Sequence, residues 1–279
     1  MRNVDSTRKL IGERLPPRRY DAYLFDLDGT IYLGDQLLPG AAELIAALRR
    51  VDLPVRFLSN NPTKSRAAYV DRLRRLGIDV MPEEIVTSVQ AMTTWLLATH
   101  PGATVYPISE APLIEALAEA GIRVSDDPAE IDIVIASYDR TFTYQKLQTA
   151  FDAIWFEKRA MLISTNPDRY CPFPGGRGEP DAAGIVAAIE ATTGAACQLT
   201  TGKPSRLMLE MALRPLGVDP EHCVMVGDRL STDIAMARAA GMDSALVLTG
   251  ETTPEMLASL PEAVWPAIVL ERIDQLFVS

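Results

Sequence analysis

A short apolar run that ends at two aspartates is the feature that most constrains the fold of this 279-residue chain. Residues 22–26, Ala-Tyr-Leu-Phe-Asp, predict a strand, and Asp28 and Gly29 follow it. Residues two apart in a strand point the same way, so we expect the carboxylates of Asp26 and Asp28 to face one pocket at the strand's carboxyl end. Two negative charges held so close together repel each other unless a bound cation or a phosphate-handling reaction uses them. An acidic turn is the simpler alternative, since Asp-Gly is a common turn dipeptide.

Three further segments place polar residues at the tip of an apolar strand or just before a helical pattern. Residues 54–58 lead into Ser59, Asn60 and Asn61, Lys203 precedes a helical pattern, and residues 223–227 lead into Asp228 and Asp233. The carboxyl ends of parallel strands lie along one edge of an open sheet, where ligands bind. The sequence therefore predicts that these tips converge on one site.

Helical and strand periodicities alternate along the chain. Apolar residues recur at helical spacing in residues 41–48 and 70–76, between and after the first two predicted strands. This order predicts a parallel sheet in an α/β fold. We further predict a second strand and helix series within 89–199, then a helix over 205–214, a strand over 222–227, a helix over 231–240 that Gly241 ends, and a strand near 244–248. Pro62 is expected to open the helix after the second strand, and the Gly- and Pro-rich residues 171–180 are expected to be irregular.

The amino-acid composition limits which binding partners and which cellular location we expect for this protein. The formal charge of −10 argues against nucleic acid or an anionic membrane as a partner. No stretch reaches the roughly 18 consecutive apolar residues of a membrane span. The three cysteines include no CxxC pair, so we expect reduced thiols and a cytoplasmic location. The sequence leaves the oligomeric state open, with a homodimer among the options.

The ordered motifs resemble a known family. Asp26-x-Asp28-Gly29-Thr30, Ser59-Asn60-Asn61, Lys203-Pro204 and Gly227-Asp228 with Asp233 resemble the haloacid dehalogenase superfamily of phosphohydrolases from about residue 20 onward. The insert, with Tyr138-Asp139 and residues 165–168, is similar to the branch of nitrophenyl phosphatases and NagD-type sugar phosphatases. The resemblance implies a Rossmann-like parallel-sheet core, residues 1–88 and 200–279, with an inserted α/β cap, residues 89–199. Residues 1–20 would be a tail or a short packing segment.

The resemblance also implies roles for the first aspartates and the metal. Asp26 would be the nucleophile that forms an aspartyl-phosphate, and Asp28 the general acid and then the general base. The expected cofactor is Mg²⁺, held by Asp26, the backbone carbonyl of Asp28 and Asp228. Asp233 would bind the metal directly or orient its waters.

The phosphate oxygens need hydrogen-bond donors and a positive charge. The expected donors are the Ser59 hydroxyl and the backbone N–H groups of Gly29 and Asn60, and Lys203 would supply the charge. Taken alone, Ser59 suits a helix cap and Lys203 a solvated loop; their places in the family pattern favour phosphate binding.

In the cap, four residues are candidates for substrate selection. Tyr138, Asp139, Asn166 and Asp168 follow the predicted strands over 131–136 and 161–164. A structural turn explains Asn166 and Asp168 nearly as well. The chain departs from the family pattern by interposing Arg177, Glu179 and Asp181 before the last cap helix, which leaves the leaving group of the substrate open.

The expected function is Mg²⁺-dependent hydrolysis of small soluble phosphomonoesters such as sugar, polyol or nucleotide phosphates. A phosphotransferase with the same core and a phosphometabolite-binding protein with little turnover are the alternatives. A dehalogenase is disfavoured because it needs neither metal nor a leaving-group acid, so Asp28 and Asp228 would be superfluous. A dinucleotide-binding enzyme is disfavoured because no GxGxxG follows the first strand.

Overall fold

The computed structural model describes residues 20–173 and 177–276, which form two compact units. Of the described residues, unit 1 comprises 20–58, Val70–Ile85 and 209–276, and unit 2 comprises Ser59–Tyr69, 86–173 and 177–208. The expected boundaries at 88/89 and 199/200 stay a prediction. The expected N-terminal segment, apart from its last residue, lies outside the described residues.

The strands, numbered in chain order, are short. They are β1 (Ala22–Asp26), β2 (Tyr32–Leu33), β3 (Gln36–Leu37), β4 (Val55–Ser59), β5 (Ile85–Thr87), β6 (Thr104–Ile108), β7 (Arg123–Val124), β8 (Ile133–Ala136), β9 (Met161–Ser164), β10 (Tyr170–Phe173), β11 (Arg177–Pro180), β12 (Leu199–Thr200), β13 (Cys223–Gly227), β14 (Asp243–Val247) and β15 (Ile268–Leu270).

The helices connect these strands. They are α1 (Ala41–Arg50), α2 (Arg66–Arg75), α3 (Ser88–Thr99), α4 (Ala111–Glu119), α5 (Tyr144–Phe151), α6 (Ala182–Thr193), α7 (Arg206–Leu213), α8 (Ala235–Ala239) and α9 (Pro254–Ala258).

One sheet has the strand order β15-β14-β13-β1-β4-β5. β1 pairs in parallel with β13 on one side and with β4 on the other, and Asp26 lies opposite Leu58 in the register. Every residue of β1, β4 and β13 is buried, as expected for strands covered on both faces. The predicted α/β fold with a parallel sheet is confirmed, and the carboxyl ends of β1 and β13 are neighbours.

Unit 2 contains a second parallel sheet, in the order β12-β9-β8-β6-β7. The central strand β8 is buried on both faces. Its Ile133 and Ile135 pack with Val89 and Leu113, from α3 and α4. Val134 and Ala136 pack on the opposite face with residues of α5 and α6, including Ala150 and Ile189. Unit 2 is therefore an α/β layered unit with its own two-sided core.

The expectation of irregular structure over residues 171–180 is wrong for the described part of that range. β10 and β11 pair antiparallel, with Cys171 opposite Glu179 and Pro172 opposite Gly178. Gly178 avoids crowding in the ribbon, because a Cβ there would lie 3.0 Å from the Tyr170 ring and 3.2 Å from the Cys171 carbonyl oxygen. Two paired strands thus form in this segment despite its Gly and Pro content.

Two predicted helices differ in detail from those observed. α2 begins at Arg66, not at Pro62, because Asn61 accepts hydrogen bonds from the Thr63 N–H and hydroxyl and holds a turn there. The predicted helix over 231–240 begins as a π-helical turn, Leu230–Ile234, and continues as α8. Sequence periodicity also missed the short strands β5, β7, β12 and β15, which are two or three residues long.

Two further expectations concern the cysteines and the membrane. Cys171, Cys197 and Cys223 are all free thiols. Within the described residues, no helix is both long enough and apolar enough to span a lipid bilayer.

Candidate active site

Three buried carboxylates meet in unit 1. Asp26 ends β1, Asp228 follows β13, and Asp233 lies in the π-helical turn after β13. One carboxylate oxygen from each lies within 4.8 Å of the other two. The residues are 8%, 1% and 0% exposed respectively. The fold therefore brings together residues far apart in the chain, and the group could hold a metal ion.

The electrostatics of this carboxylate group favour a bound cation. Burial, together with the charges of Asp26 and Asp233, raises the pKa of Asp228 well above its usual range. One oxygen of Asp228, Oδ2, accepts a hydrogen bond from the Glu251 N–H at 2.6 Å. The other, Oδ1, is buried and has no hydrogen-bond partner among residues 20–173 and 177–276. Buried carboxylate oxygens of this kind suit a hard divalent cation such as Mg²⁺.

Glycines surround the carboxylate of Asp228. Gly29 has a φ of +93°, and a Cβ there would lie 2.7 Å from Asp228 Oδ2. A Cβ on Gly250 would lie only 2.0 Å from the same oxygen. The Thr249 hydroxyl donates to the Gly29 carbonyl oxygen at 2.6 Å and so joins the two glycine segments. The backbone at Gly29 and Gly250 thus approaches the Asp228 carboxylate more closely than a residue with a Cβ atom could.

Asp28 lies just beyond β1 and is partly exposed, outside the group of three carboxylates. Its Oδ2 accepts a hydrogen bond of 3.3 Å from the Tyr32 hydroxyl. The guanidinium of Arg72 stacks on the Tyr32 ring, 4.1 Å from its centroid. The Gly29 N–H donates to the Tyr32 carbonyl oxygen at 2.8 Å and closes the turn after β1, and its expected contact with phosphate stays a prediction.

The predicted phosphate-binding residues of unit 2 are all buried. The Ser59 hydroxyl donates to the Tyr69 hydroxyl at 2.8 Å, and Tyr69 in turn donates to the Asn61 carbonyl oxygen. Lys203 is 2% exposed, and its backbone is hydrogen-bonded to the side chain of Asn60. The structure therefore brings Asn60 and Lys203 into contact, although 143 positions separate them.

Two of the candidates for substrate selection follow β8. The Tyr138 hydroxyl donates to Glu179 of β11, and burial and that partner raise the pKa of Tyr138. The Asp139 side chain is fully buried and forms an ion pair of 2.5 Å with Lys146. Asp139 also accepts hydrogen bonds from the Thr141 N–H and hydroxyl. Asp139 thus stabilises its own loop, and its expected contact with substrate stays a prediction.

The other two candidates follow β9. Asn166 is fully buried, accepts from the Asp168 N–H at 2.9 Å and donates to Asp181 at 3.3 Å. These contacts agree with the alternative of a structural turn at Asn166. Asp168 Oδ2 accepts a hydrogen bond of 3.1 Å from Asn60.

Sequence reasoning missed Gly250, Glu251 and Tyr32. Glu251 binds Asp228 through its N–H and forms an ion pair of 3.1 Å with Arg229. The sequence did contain a signal for Gly250 and Glu251, because both come shortly after β14, just as the other polar residues of the site follow their strands. Tyr32 had no comparable signal, since its link to Asp28 depends on the turn that both residues share.

Comparisons with known proteins agree with this architecture. Residues 23–123 match the family model of haloacid dehalogenase-like hydrolases, and residues 200–276 match a HAD-hydrolase-like model. The sugar-phosphatase AraL of Bacillus subtilis strain 168 is 38% identical over 227 residues, which are 81% of this chain and 82% of that protein.

Two solved structures are similar over most of their length. The 4-nitrophenylphosphatase of Thermotoga maritima superposes with a TM-score of 0.85 and is 35% identical, covering 92% of this chain and 96% of its own. NagD of Escherichia coli K-12 has a TM-score of 0.80 at 28% identity, covering 92% and 98%. The chain therefore belongs to the haloacid dehalogenase-like hydrolases, and within them to the NagD-like phosphatases.

Proposed function

We propose that this enzyme is a Mg²⁺-dependent phosphatase that hydrolyses small phosphomonoesters through an aspartyl-phosphate on Asp26. The observation that carries the proposal is the group of three buried carboxylates, in which Asp228 Oδ1 accepts no hydrogen bond from the described residues. Three such groups cannot all be ionised in one buried place without a compensating positive charge. A Mg²⁺ ion held by Asp26, Asp228, Asp233 and the Asp28 carbonyl would offset two of the three negative charges and lower the barrier by offsetting phosphoryl charge.

The proposed reaction has two displacements at phosphorus. An Asp26 carboxylate oxygen forms a bond to phosphorus while the ester O–P bond breaks, and Asp28 donates its proton to the departing alkoxide. Asp28 then takes a proton from water, whose oxygen bonds to phosphorus as the Asp26–phosphorus bond breaks. Inorganic phosphate leaves, and both aspartates return to their starting states. The Tyr32 hydrogen bond to Asp28 supports this role by limiting the orientations of the carboxyl group.

For the phosphoryl group we propose Lys203 as the cationic partner, with the Ser59 hydroxyl and the Asn60 N–H as donors. Lys203 is buried, so its charge would act without the screening that water gives a surface lysine. The Ser59 hydroxyl can rotate from Tyr69 toward a ligand, since hydroxyl rotation needs no backbone movement.

For the substrate we propose phosphorylated sugars and related small metabolites, which follows the sugar-phosphatase relative and the 4-nitrophenylphosphatase structure. The cap would select the leaving group through Tyr138 and Asp168. We propose a cytoplasmic location, with no nucleic-acid or membrane partner.

A screen of phosphorylated metabolites with Mg²⁺ present tests the proposal, with Asp26→Asn as the inactive control. We expect release of inorganic phosphate from sugar phosphates, loss of turnover in excess chelator, and covalent phosphate labelling that Asp26→Asn abolishes. Transfer of phosphate to added alcohols in preference to water would show a phosphotransferase instead. Full activity in chelator would exclude the proposed mechanism.

A further inference from the structure

The side chain of Asn60 holds the backbone of Lys203 at two atoms. The Lys203 N–H donates to Asn60 Oδ1 at 2.7 Å, and Asn60 Nδ2 donates to the Lys203 carbonyl oxygen at 3.0 Å. The same Nδ2 donates to Asp168 Oδ2 at 3.1 Å. A primary amide nitrogen has two hydrogens, so both donors of Asn60 are used. Asn60 therefore joins Lys203 and Asp168 through a single side chain.

Asn60 is itself held in place by its surroundings. Its backbone carbonyl oxygen accepts hydrogen bonds from the Ser88 hydroxyl at 2.8 Å and from Asn166 Nδ2 at 3.3 Å. Gly202 leaves room for the amide, because a Cβ at this position would lie 2.6 Å from Asn60 Oδ1 and 2.6 Å from the Thr165 carbonyl oxygen. The loops that follow β9 and β12 thus meet at one nearly buried asparagine.

We propose that Asn60 is a positioning residue that fixes the Lys203 backbone and links it to Asp168. This inference rests on the proposed function, in which Lys203 carries the charge that binds the phosphoryl group. Lys203 lies between β12 and α7, outside the strands and helices that the structure describes. A lysine side chain is a long, flexible stem, so the position of its ammonium group depends first on the anchoring of its backbone. Asn60 supplies that anchor, and Asp168 fixes the orientation of the anchor.

Asn60→Asp tests the anchor with almost no change in volume. Aspartate keeps an acceptor for the Lys203 N–H but loses both donors, and it faces the Asp168 carboxylate with a like charge. We expect kcat for 4-nitrophenyl phosphate to fall at least about tenfold. The Mg²⁺ concentration for half-maximal activity should stay within about twofold, because Asp26, Asp228 and Asp233 are unchanged. A general loss of structure would alter both quantities.

The reciprocal exchange, Asn60→Asp combined with Asp168→Asn, supplies a rescue. In this double variant the amide at position 168 can donate to the carboxylate at position 60, which restores one hydrogen bond and removes the repulsion between carboxylates. We expect the double variant to recover at least about threefold in kcat over Asn60→Asp alone. Gln148→Glu is the matched amide-to-acid control, since the Gln148 side chain, in α5, donates to Asp152, four residues further along the chain, and it should stay within about threefold of the wild-type kcat.

Gly202→Ala is the second variant should Asn60→Asp fail to fold. Its methyl group would displace the Asn60 amide, so kcat should fall while the Mg²⁺ requirement is retained. A kcat within about twofold of wild type for Asn60→Asp, or for a folded Gly202→Ala, would overturn the inference while the proposed function stands. A double exchange no better than Asn60→Asp would likewise overturn the link to Asp168. A wild-type enzyme without phosphatase activity would instead refute the proposed function, and this inference with it.

Discussion

At the scale of single residues, the close approach of the backbone to carboxylate oxygens distinguishes this site. Asp228 receives one hydrogen bond at Oδ2, keeps Oδ1 unpartnered within the described part of the chain, and has glycine backbone on two sides. Such a group is costly to bury unless a ligand completes it. The position of the Asp228 carboxylate therefore depends on the absence of Cβ atoms at Gly29 and Gly250 as well as on its hydrogen bond.

Gly250→Ala should impair the metal site directly. The new methyl group would lie 2.0 Å from Asp228 Oδ2, so the carboxylate must move. We expect the Mg²⁺ concentration for half-maximal activity to rise at least about tenfold, or about 1.4 kcal/mol in binding free energy. Titration of activity with Mg²⁺ measures it.

Gly184→Ala is the control for this substitution. Among the described residues, nothing beyond its chain neighbours and the backbone of its own helix, α6, lies within 4 Å of its Cβ position. We expect the variant to leave activity unchanged and to raise the free energy of unfolding by up to about 1 kcal/mol. An equal rise in the Mg²⁺ requirement for both variants would argue against a specific effect at Asp228.

Asp28→Asn should separate proton transfer from nucleophilic attack. The variant keeps Asp26 and the backbone carbonyl at position 28 but has no proton to give. We expect kcat to fall about 100-fold or more for sugar phosphates, and much less for 4-nitrophenyl phosphate, whose leaving group needs little protonation. Steady-state rates over a series of leaving groups measure this effect. Equal losses across the series would contradict an acid role for Asp28.

At the scale of elements, the short segments after strands hold the functional residues. Asp233 reaches the carboxylate group from the π-helical turn that precedes α8. The β10–β11 ribbon brings Glu179 to the Tyr138 hydroxyl. Helix α3 begins with a capping box, in which the Thr87 hydroxyl accepts from the Gln90 N–H and Gln90 Oε1 accepts from the Thr87 N–H. Local hydrogen bonds thus fix where α3 begins.

Thr87→Ala should destabilise the protein through α3. The substitution leaves the Gln90 N–H without its capping acceptor, at a residue that is 2% exposed. Loss of a threonine cap costs about 1 kcal/mol, and we expect the free energy of unfolding to fall by that amount. Urea denaturation measures it. Thr192→Ala, which removes an exposed hydroxyl bonded back to Ala188 of its own helix, should change stability by no more than about 0.5 kcal/mol. Equal effects of the two substitutions would argue against the cap.

At the scale of the whole molecule, the proposed metal binding would be linked to stability. A ligand that binds the folded state alone stabilises it by about 2.7 kcal/mol at 100 times its dissociation constant. The chain carries a net charge of −10, and three of its carboxylates are gathered in one buried group. Without a metal ion the protein therefore bears an electrostatic cost that bound Mg²⁺ would reduce.

The pH dependence of the metal-free protein should show this cost. The usual pKa of an aspartate is 3.8, and the folded-state pKa of Asp228 is raised by burial and by its acidic neighbours. Between these two pKa values the folded state binds more protons than the unfolded state, so stability falls as pH rises. The contribution of Asp228 is fully present below pH 3.8 and is lost as pH rises through the folded-state pKa.

Thermal unfolding in chelator at several pH values, from mildly acidic to neutral, measures this contribution for the wild type and Asp228→Asn. We expect the wild-type melting temperature to decline with pH more steeply than that of the variant. Added Mg²⁺ should raise the melting temperature of the wild type at neutral pH and have little effect on Asp228→Asn. Identical pH profiles for the two proteins would contradict the assignment.

Sequence patterns alone were enough to predict the α/β class, the order of the strand tips and the polar residues that stand there. Those features are local: a short apolar run, an abrupt polar end and a following helical period predict a strand and its ligand-facing edge. Asp26 and Asp228 could be named on that basis, and the structure places Asp26 at the end of β1 and Asp228 just after β13, its neighbour in the sheet. Family membership followed from the same ordered motifs.

Which polar groups already have hydrogen-bond partners became visible only in the folded chain. The Gly29 N–H is used by Tyr32, Asp139 by Lys146, and the Asn60 amide by Lys203 and Asp168. The tertiary structure also placed Gly250 against Asp228 and paired the Gly- and Pro-rich ribbon. Periodicity describes neighbours within one turn or one strand, whereas each of these outcomes depends on contacts that exist only once the chain has folded.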